Sequence, residues 1–182
     1  MHKLSRVFLS LALVGMAATQ ARAQQGFALK GHFLYNSNKV SRDSIPTKDG
    51  FDVGAEYVLP FGIGVGVTGY TTGKASEATH SATSYGVLAE ANYFLKLPLI
   101  PLAPYAGVHA GLGRYTVEDL QSPSTPKFHD NRNQLGFQVG VRSQLTSMFG
   151  VDAQYRRVSQ SAADNQDGRL SRNQVLVGIT LF

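Results

Sequence analysis

The feature that most constrains this chain is a two-residue alternation of apolar and polar side chains. In "FALKGHFLY", Phe27, Leu29 and Phe33 share one face, while Lys30 and His32 lie on the other. The pattern recurs in eight segments: 27–35, 51–59, 63–70, 85–93, 105–113, 135–142, 151–156 and 173–182. A period of two is typical of half-buried β-strands, and no segment from residue 26 onward has a convincing helical period.

The links between these segments alternate in length. Short links follow the second and sixth segments, at 60–62 and 146–148, and the link at 95–104 is stiffened by three prolines. The other four links are long and polar: 37–49, 72–83, 117–133 and 159–170. An up-and-down meander places all the short turns at one end and all the long loops at the other. Outer-membrane barrels have this asymmetry.

The first 23 residues have the pattern of an export signal. Lys3 and Arg6 precede an apolar stretch of about a dozen residues, and "ARA" at 21–23 has the small–x–small cleavage pattern. We therefore expect cleavage between Ala23 and Gln24, leaving a barrel domain at 24–182. The alternative is an uncleaved helical anchor, but the apolar stretch falls short of the roughly 20 residues that a spanning helix needs.

Charge and cysteine content exclude several classes of function. Without Lys3, Arg6 and Arg22, the 17 basic residues fall to 14 against 12 acidic ones, a net charge of +2. No basic run remains, so we expect no nucleic-acid partner. The chain has no cysteine, which excludes a disulfide framework and a thiolate metal site.

The polar face of the alternating segments combines glycines with long charged side chains. In a narrow eight-stranded barrel the interior is just wide enough for side chains to fill, so glycine makes room for its long neighbours. On a soluble exterior, such as that of a lipocalin-like barrel with its apolar face inside, so much glycine would weaken the strands. We therefore predict that the polar face points inward and the apolar face outward.

Aromatic residues group near the two ends of the predicted strands. One group lies by the short turns: Tyr57, Phe61, Tyr93, Phe94, Tyr105, Phe149 and Phe182. The other lies by the long loops: Tyr35, Phe51, Tyr70, Tyr85, Tyr115 and Tyr155. Two aromatic belts around an aliphatic band are typical of a barrel that crosses a bilayer. The sequence thus predicts an all-β fold, an eight-stranded antiparallel up-and-down transmembrane β-barrel.

Several segments together resemble a known family. The leader, "PYAGVHAGLGRY", "GFQVGVR" and a final strand ending in Phe182 resemble the small OmpA/OmpX-type outer-membrane β-barrel family over residues 24–182. The resemblance implies a place in the cell outer membrane, in contact with its lipid and lipopolysaccharide. It also implies that the terminal aromatic strand serves as the signal for the barrel assembly machinery. Here the apolar phase of that strand runs through Ile179 and Leu181, out of phase with Phe182.

Charged residues on the predicted inner face are nearly balanced in sign. They are Lys30, Asp52, Glu56, Glu90, Arg142, Asp152 and Arg156. Because unpaired charges inside a barrel are costly, we expect a salt-bridged network that plugs the lumen. The alternative is that these side chains line a thin water column.

Three local motifs have simpler structural explanations. "GVGVTG" at 64–69 matches a dinucleotide fingerprint, but it lies within a predicted strand and no helix follows. His32 and His109 lack the spacing of metal ligands. "DNQDG" at 164–168 lacks the acidic alternation and distal Glu of a calcium loop and is better explained as a turn. We expect no catalytic residue, metal or cofactor.

The leading functional hypothesis is a non-enzymatic barrel whose external loops contact surface partners or lipopolysaccharide. The segment 117–133 is the longest loop candidate, since loops on a rigid scaffold carry recognition. One alternative is a narrow porin-like channel for small solutes. Another is a lipid A-modifying enzyme, which would need a serine beside a histidine near the outer rim. His80 with Ser81 or Ser84, and His129, are the candidates.

Overall fold

The eight alternating segments form eight antiparallel β-strands in the computed structural model, which describes residues 25–36, 48–76, 80–95, 97, 101–119, 128–162 and 170–182. The strands are β1 (Gly26–Asn36), β2 (Gly50–Val58), β3 (Ile63–Thr72), β4 (His80–Phe94), β5 (Leu102–Asp119), β6 (Phe128–Gln144), β7 (Phe149–Ala162) and β8 (Leu170–Leu181). A two-residue segment, Ala75–Ser76, continues β3 along the same edge of β4. Across these described ranges, no helix is long and apolar enough to span a membrane.

The sheet closes on itself. Each strand pairs with its neighbours in the chain, and β1 also pairs with β8, where Gly31 is opposite Ile179 and Phe33 is opposite Val177. The predicted eight-stranded antiparallel up-and-down barrel is confirmed. Closure matters because a free strand edge would leave backbone groups without partners.

The strands are staggered as well as closed. A row of paired residues can be followed once around the barrel, and a row that begins at Gly26 on β1 returns to β1 at Asn36. This offset of ten residues requires the strands to tilt, typically by about 35–45° from the barrel axis. Residues far apart in the sequence are thereby brought to the same level of the interior.

The two faces of the wall are chemically opposite, as predicted. Apolar side chains such as Val53 and Leu112 are each 67% exposed on the outside. Charged side chains such as Asp52 and Arg156 are buried inside. The exposed apolar wall and the buried polar interior invert the arrangement of a soluble barrel.

Three of the predicted long links are shorter than the sequence indicated. Predicted link 117–133 reduces to 120–127, because β5 continues to Asp119 and β6 begins at Phe128. Predicted link 159–170 reduces to 163–169, and 72–83 is largely paired through Ala75–Ser76. The apolar alternation stops before the hydrogen-bonded ladder does, since backbone pairing needs no apolar side chain once the wall leaves the apolar band.

Four aromatic residues assigned to the belts are buried inside the barrel instead, and a fifth, Phe182, also follows the inward phase of its strand. Phe94, Tyr105, Tyr70 and Tyr115 are all buried. Each occupies an inward position of its strand, so strand phase outweighs proximity to a rim. The outward aromatics that remain include Tyr57, Phe61, Tyr93 and Phe149 near the short turns, and Tyr35, Phe51 and Tyr85 near the loops.

The last strand has a defined register. Leu181 is opposite both Phe149 and Leu29, and the Phe182 backbone N–H donates to the Met148 carbonyl over 3.0 Å. The Phe182 ring lies against the inward-facing Gly150, since a Cβ built at Gly150 would be 3.0 Å from the ring. Phe182 therefore follows the inward phase, opposite to Leu181.

The contact between β1 and β8 predicts a test of closure. A Cβ at Gly178 would lie 2.0 Å from the backbone oxygen of Gly31, so a side chain at position 178 would force the two strands apart. We expect the wild-type protein to migrate faster in SDS before boiling than after it, and Gly178→Leu to lose most of the fast band. Gly31→Leu is the control, because a Cβ at Gly31 meets its nearest atom at 4.0 Å. Loss of the fast band in both variants would contradict the assignment.

Candidate functional site

The strand pleat carries all seven predicted charged residues into the barrel interior. Every one is at most 4% exposed: Lys30, Asp52, Glu56, Glu90, Arg142, Asp152 and Arg156. They come from five different strands. Successive side chains alternate between the two faces of a strand, and each of these residues occupies an inward position.

Arg142 on β6 joins two carboxylates from different strands. Its Nη1 lies 2.8 Å from Glu56 Oε2 on β2, and its Nε lies 2.8 Å from Asp152 Oδ2 on β7. The guanidinium also lies 4.7 Å from the centroid of the Phe94 ring. Its planar set of donors suits this kind of bridging better than an ammonium group would.

Arg156 on β7 makes a second bridge. Its Nη2 lies 3.0 Å from Glu90 Oε1 on β4, and its Nη1 lies 3.2 Å from Asp52 Oδ2 on β2. Lys30 on β1 forms an ion pair with the other oxygen of Glu90. Glu90 is therefore shared by two cations.

His32 connects the two bridges. Its Nδ1 lies 2.6 Å from Asp52 Oδ1, and its Nε2 lies 3.8 Å from Asp152 Oδ1. All seven charged residues thus belong to one connected cluster, which we call the lumenal network. His109 is also buried but takes part in none of the ion pairs found in the described residues. No group of three or more potential metal ligands occurs in these same residues.

Neutral side chains complete the hydrogen bonding of the carboxylates. Asn92 Nδ2 donates to Glu56 Oε1 over 2.7 Å, and Gln138 Nε2 donates to Asn92 Oδ1 over 2.7 Å. The Tyr105 hydroxyl lies 2.7 Å from Asp152 Oδ1. Sequence reasoning omitted these residues because it followed formal charge. Their inward strand phase was the signal that could have found them.

A second polar layer lies nearer the loop end of the barrel. Arg132 and Arg172 lie over the Tyr115 ring, with guanidinium carbons 5.6 and 4.6 Å from its centroid. Arg132 Nε donates to Asp130 Oδ2 over 2.6 Å, whereas no carboxylate pairs with Arg172 in the described parts of the chain. Sequence reasoning missed Arg172 because it precedes the recognised apolar run of β8.

Of the candidates for lipid chemistry, the structure describes the side chains of His129, Ser81 and Ser84. His129 is exposed, and its Nδ1 lies 3.2 Å from the Thr116 hydroxyl, while the Ser81 and Ser84 side chains are buried. The His80 side chain lies outside the described residues. "GVGVTG" at 64–69 lies entirely within β3, where no phosphate cradle can form.

Other predicted sites fall wholly or partly outside the described residues. The expected cleavage site at Ala23 and Gln24 and the "DNQDG" segment at 164–168 both lie there. Of the predicted ligand loop 117–133, residues 120–127 also lie there, and the rest is strand rather than loop.

Comparisons with known proteins agree with this architecture. A family model described as outer membrane protein beta-barrel domain matches residues 7–181. Comparison of the sequence with curated proteins gave no significant match.

Three solved structures illustrate the structural similarity. Neisserial surface protein A has 19% identity and a TM-score of 0.70, over 86% of this chain and 97% of that one. Outer membrane protein H of P. aeruginosa has 16% identity and a TM-score of 0.60, over 86% and 99%. Ail, the attachment invasion locus protein of Yersinia pestis, has 14% identity and a TM-score of 0.54, over 86% and 98%. At these identities the likeness shows the fold.

The bridges predict a large effect of removing Arg142. Arg142→Ala leaves Glu56 and Asp152 buried without their shared cation, which should lower the free energy of unfolding by about 3–5 kcal/mol. Arg157→Ala is the matched control, because Arg157 is exposed on the outer wall. This variant should change the free energy of unfolding by about 0.5 kcal/mol or less. Urea titration of the refolded protein in lipid vesicles would measure both.

A compensated variant separates charge from packing. Arg142→Met combined with Glu56→Gln and Asp152→Asn removes the whole bridge, and should recover much of the stability lost in Arg142→Ala. If the triple variant were as unstable as the single one, the unpaired carboxylates would not be the cause.

Proposed function

This chain belongs to the outer membrane protein β-barrel domain family and lies in the outer membrane, and from that premise we propose that it is a non-enzymatic barrel with a plugged lumen. In this proposal the body of the barrel is a structural element of the membrane, and the outer rim contacts surface partners and lipopolysaccharide. The observation that carries the proposal is the lumenal network.

The network supports a plug because its bridges join strands from different sides of the barrel. Arg142 connects β6 to β2 and β7, and Arg156 connects β7 to β2 and β4. An eight-stranded barrel has little interior space beyond its own side chains. Long side chains that are almost fully buried and held by charge-assisted hydrogen bonds leave no evident path for a solute. A continuous water column or a narrow channel is less compatible with such burial.

The positions of the serine and histidine candidates support a non-enzymatic role. Hydrolytic or acyl-transfer chemistry needs a nucleophile within hydrogen-bond reach of its base. The Ser84 hydroxyl is buried on the inward face of β4, whereas His129 is exposed on the outward face of β6 and interacts with Thr116. The wall of the barrel therefore lies between them.

The outer ends of β5 and β6 support a surface role. These are the longest strands, with 18 and 17 residues, and their outward side chains become polar toward the loop end, as at Thr116, His129 and Asn131. We propose that segment 117–133 and these strand ends contact a surface ligand. One structure of Ail contains the heparin analogue sucrose octasulfate, which supports a polar surface ligand as a reasonable class to test.

Export and assembly complete the proposal. Residues 1–23 serve as a signal peptide cleaved between Ala23 and Gln24. Strand β8, together with the Phe182 that follows it, is the signal for the barrel assembly machinery. The ordered register of β8 against both β1 and β7 is compatible with a terminal strand that completes the cylinder.

The plug predicts the electrical behaviour of the purified protein. In planar bilayers the wild-type protein should give no steady single-channel steps. Replacing both bridging arginines, as Arg142→Ala with Arg156→Ala, should give cation-selective steps, because four lumenal carboxylates remain. Arg157→Ala is the control and should stay silent. Steady steps from the wild-type protein would instead support the narrow channel.

The non-enzymatic role makes a separate prediction. His129→Ala should leave the mass spectrum of lipid A unchanged when it replaces the wild-type protein in cells, as should His80→Ala. Loss of an acyl group, or gain of one, that depends on either histidine would favour the lipid A-modifying alternative.

A further inference from the structure

A groove of about 740 Å³ crosses the outer surface of the barrel from β2 to β6. Its lining comes from five neighbouring strands, and Gly69 of β3 lies near its middle. The volume lies within the range of about 300–1,000 Å³ that is common for small-molecule sites. The outward residues of the lining lie on the face of the wall opposite to the lumenal network.

The floor of the groove is formed by a glycine, which has no side chain. Gly69 occupies an outward position between Val67 and Thr71, and a Cβ built on it would meet its nearest atoms at 4.0 Å. Val53 and Val87 are its partners on the two flanking strands, and both are more than half exposed. The result is an apolar dent in the outer wall of the barrel.

The groove changes from apolar to polar along the strands. One row of paired residues runs from Val53 through Gly69, Val87 and Leu112 to Asn133. The adjacent row toward the loops holds Phe51, Thr71, Tyr85, Arg114 and Asn131. The lower row is therefore apolar from Val53 to Leu112 and ends in the Asn133 amide, whereas the upper row carries the Arg114 guanidinium and the Asn131 amide.

The upper end of the groove is positively charged, because Arg114 lies there. Arg114 Nε has no hydrogen-bond partner, and no carboxylate pairs with Arg114 among the described residues. Two outward strand positions with described side chains carry a formal charge, Arg114 and Arg157, and both are cationic. The groove thus combines an apolar dent with a guanidinium that has no carboxylate partner among the described residues, on the row nearer the loop end.

We infer that this groove binds one molecule of lipid A, with an acyl chain over Gly69 and a phosphate at Arg114. The apolar rows match an acyl chain, and a guanidinium offers paired donors to a phosphate. Asn131 and Asn133 add donors and acceptors suited to a sugar. The inference deepens the lipopolysaccharide contact in the proposed function and rests on it. It adds a stoichiometry of one and a defined location.

Native mass spectrometry of the full barrel in detergent, titrated with purified lipid A, tests the charged end of the site. The wild-type protein should retain one lipid A molecule. Arg114→Gln should weaken this retention about tenfold, the effect of losing one strong charge-assisted contact. Arg157→Gln removes the same charge from the same wall and should leave retention within about twofold. Equal losses in the two variants would overturn the inference in favour of diffuse electrostatic attraction.

The apolar end is tested by filling the dent. Gly69→Leu should lower lipid A retention about tenfold. The folded, heat-modifiable band in SDS should persist, because an added Cβ would meet its nearest atoms at 4.0 Å, an ordinary van der Waals distance. Gly31→Leu is the control. It adds the same side chain at an outward glycine of β1 that lies outside the groove, and it should leave lipid A retention unchanged. Unchanged retention in folded Gly69→Leu would overturn the placement of the acyl chain.

The class of lipid is tested by competition. An excess of phosphatidylglycerol should not displace the bound lipid A, and phosphatidylcholine should not be retained. Displacement by phosphatidylglycerol would overturn the assignment to a glycolipid. A dimer that Gly69→Leu abolishes would show a second protein copy on the groove, and would overturn the assignment to lipid. The absence of any lipid A adduct on the wild-type protein would overturn the inference about the groove. The proposed function fails on different results, namely ion conduction by the wild-type protein or a change that it makes in lipid A.

Discussion

Every backbone N–H and C=O of the membrane-spanning wall must find its partner within the sheet, because hydrocarbon supplies none. The pairing of β1 with β8 meets this requirement by removing the last two edges. The same closure fixes how far each strand is shifted against the next. Since side chains alternate along a strand, that shift also decides which residues meet inside the cylinder. The lumenal network is thus a consequence of backbone pairing rather than an independent feature.

The interior illustrates how narrow barrels accommodate buried charge. Desolvation of several ions is expensive, and it is offset only when each carboxylate has a nearby cation and further donors. Glu56 meets this condition through Arg142 and Asn92, and Glu90 through Arg156 and Lys30. Space is provided by glycine, as where Gly140 lies beneath the Tyr105 ring. Charge pairing and glycine placement therefore act together on the inward face.

Much of this architecture could be predicted from the sequence, because period-two alternation is a local signal. It identified the eight strands, their two faces and the seven charged residues of the network. It could not identify the partners within the network: Glu56 and Arg142 are 86 positions apart and meet only through the stagger of the closed sheet. Loop lengths were overestimated because backbone pairing outlasts the apolar pattern. Five aromatics, Phe182 among them, were misassigned because nearness to a rim was given more weight than strand phase.

The ten-residue stagger also limits which insertions and deletions the strands can tolerate. Loss or gain of one residue within a strand would exchange its two faces from that point onward, exposing Arg156 or Asp52 to lipid and burying valine among charges. A single substitution changes one side chain and leaves the two faces in place. An insertion or deletion keeps the faces in place only if it involves two residues, or if it occurs where the hydrogen-bonded ladder can accommodate an extra residue. The boundary between β3 and Ala75–Ser76 has this form, since pairing against β4 slips by one residue between Thr71–Tyr85 and Ala75–Ala82. Inherited insertions should therefore accumulate at such slips and in the links, leaving the length of the central wall nearly constant while its residues diverge.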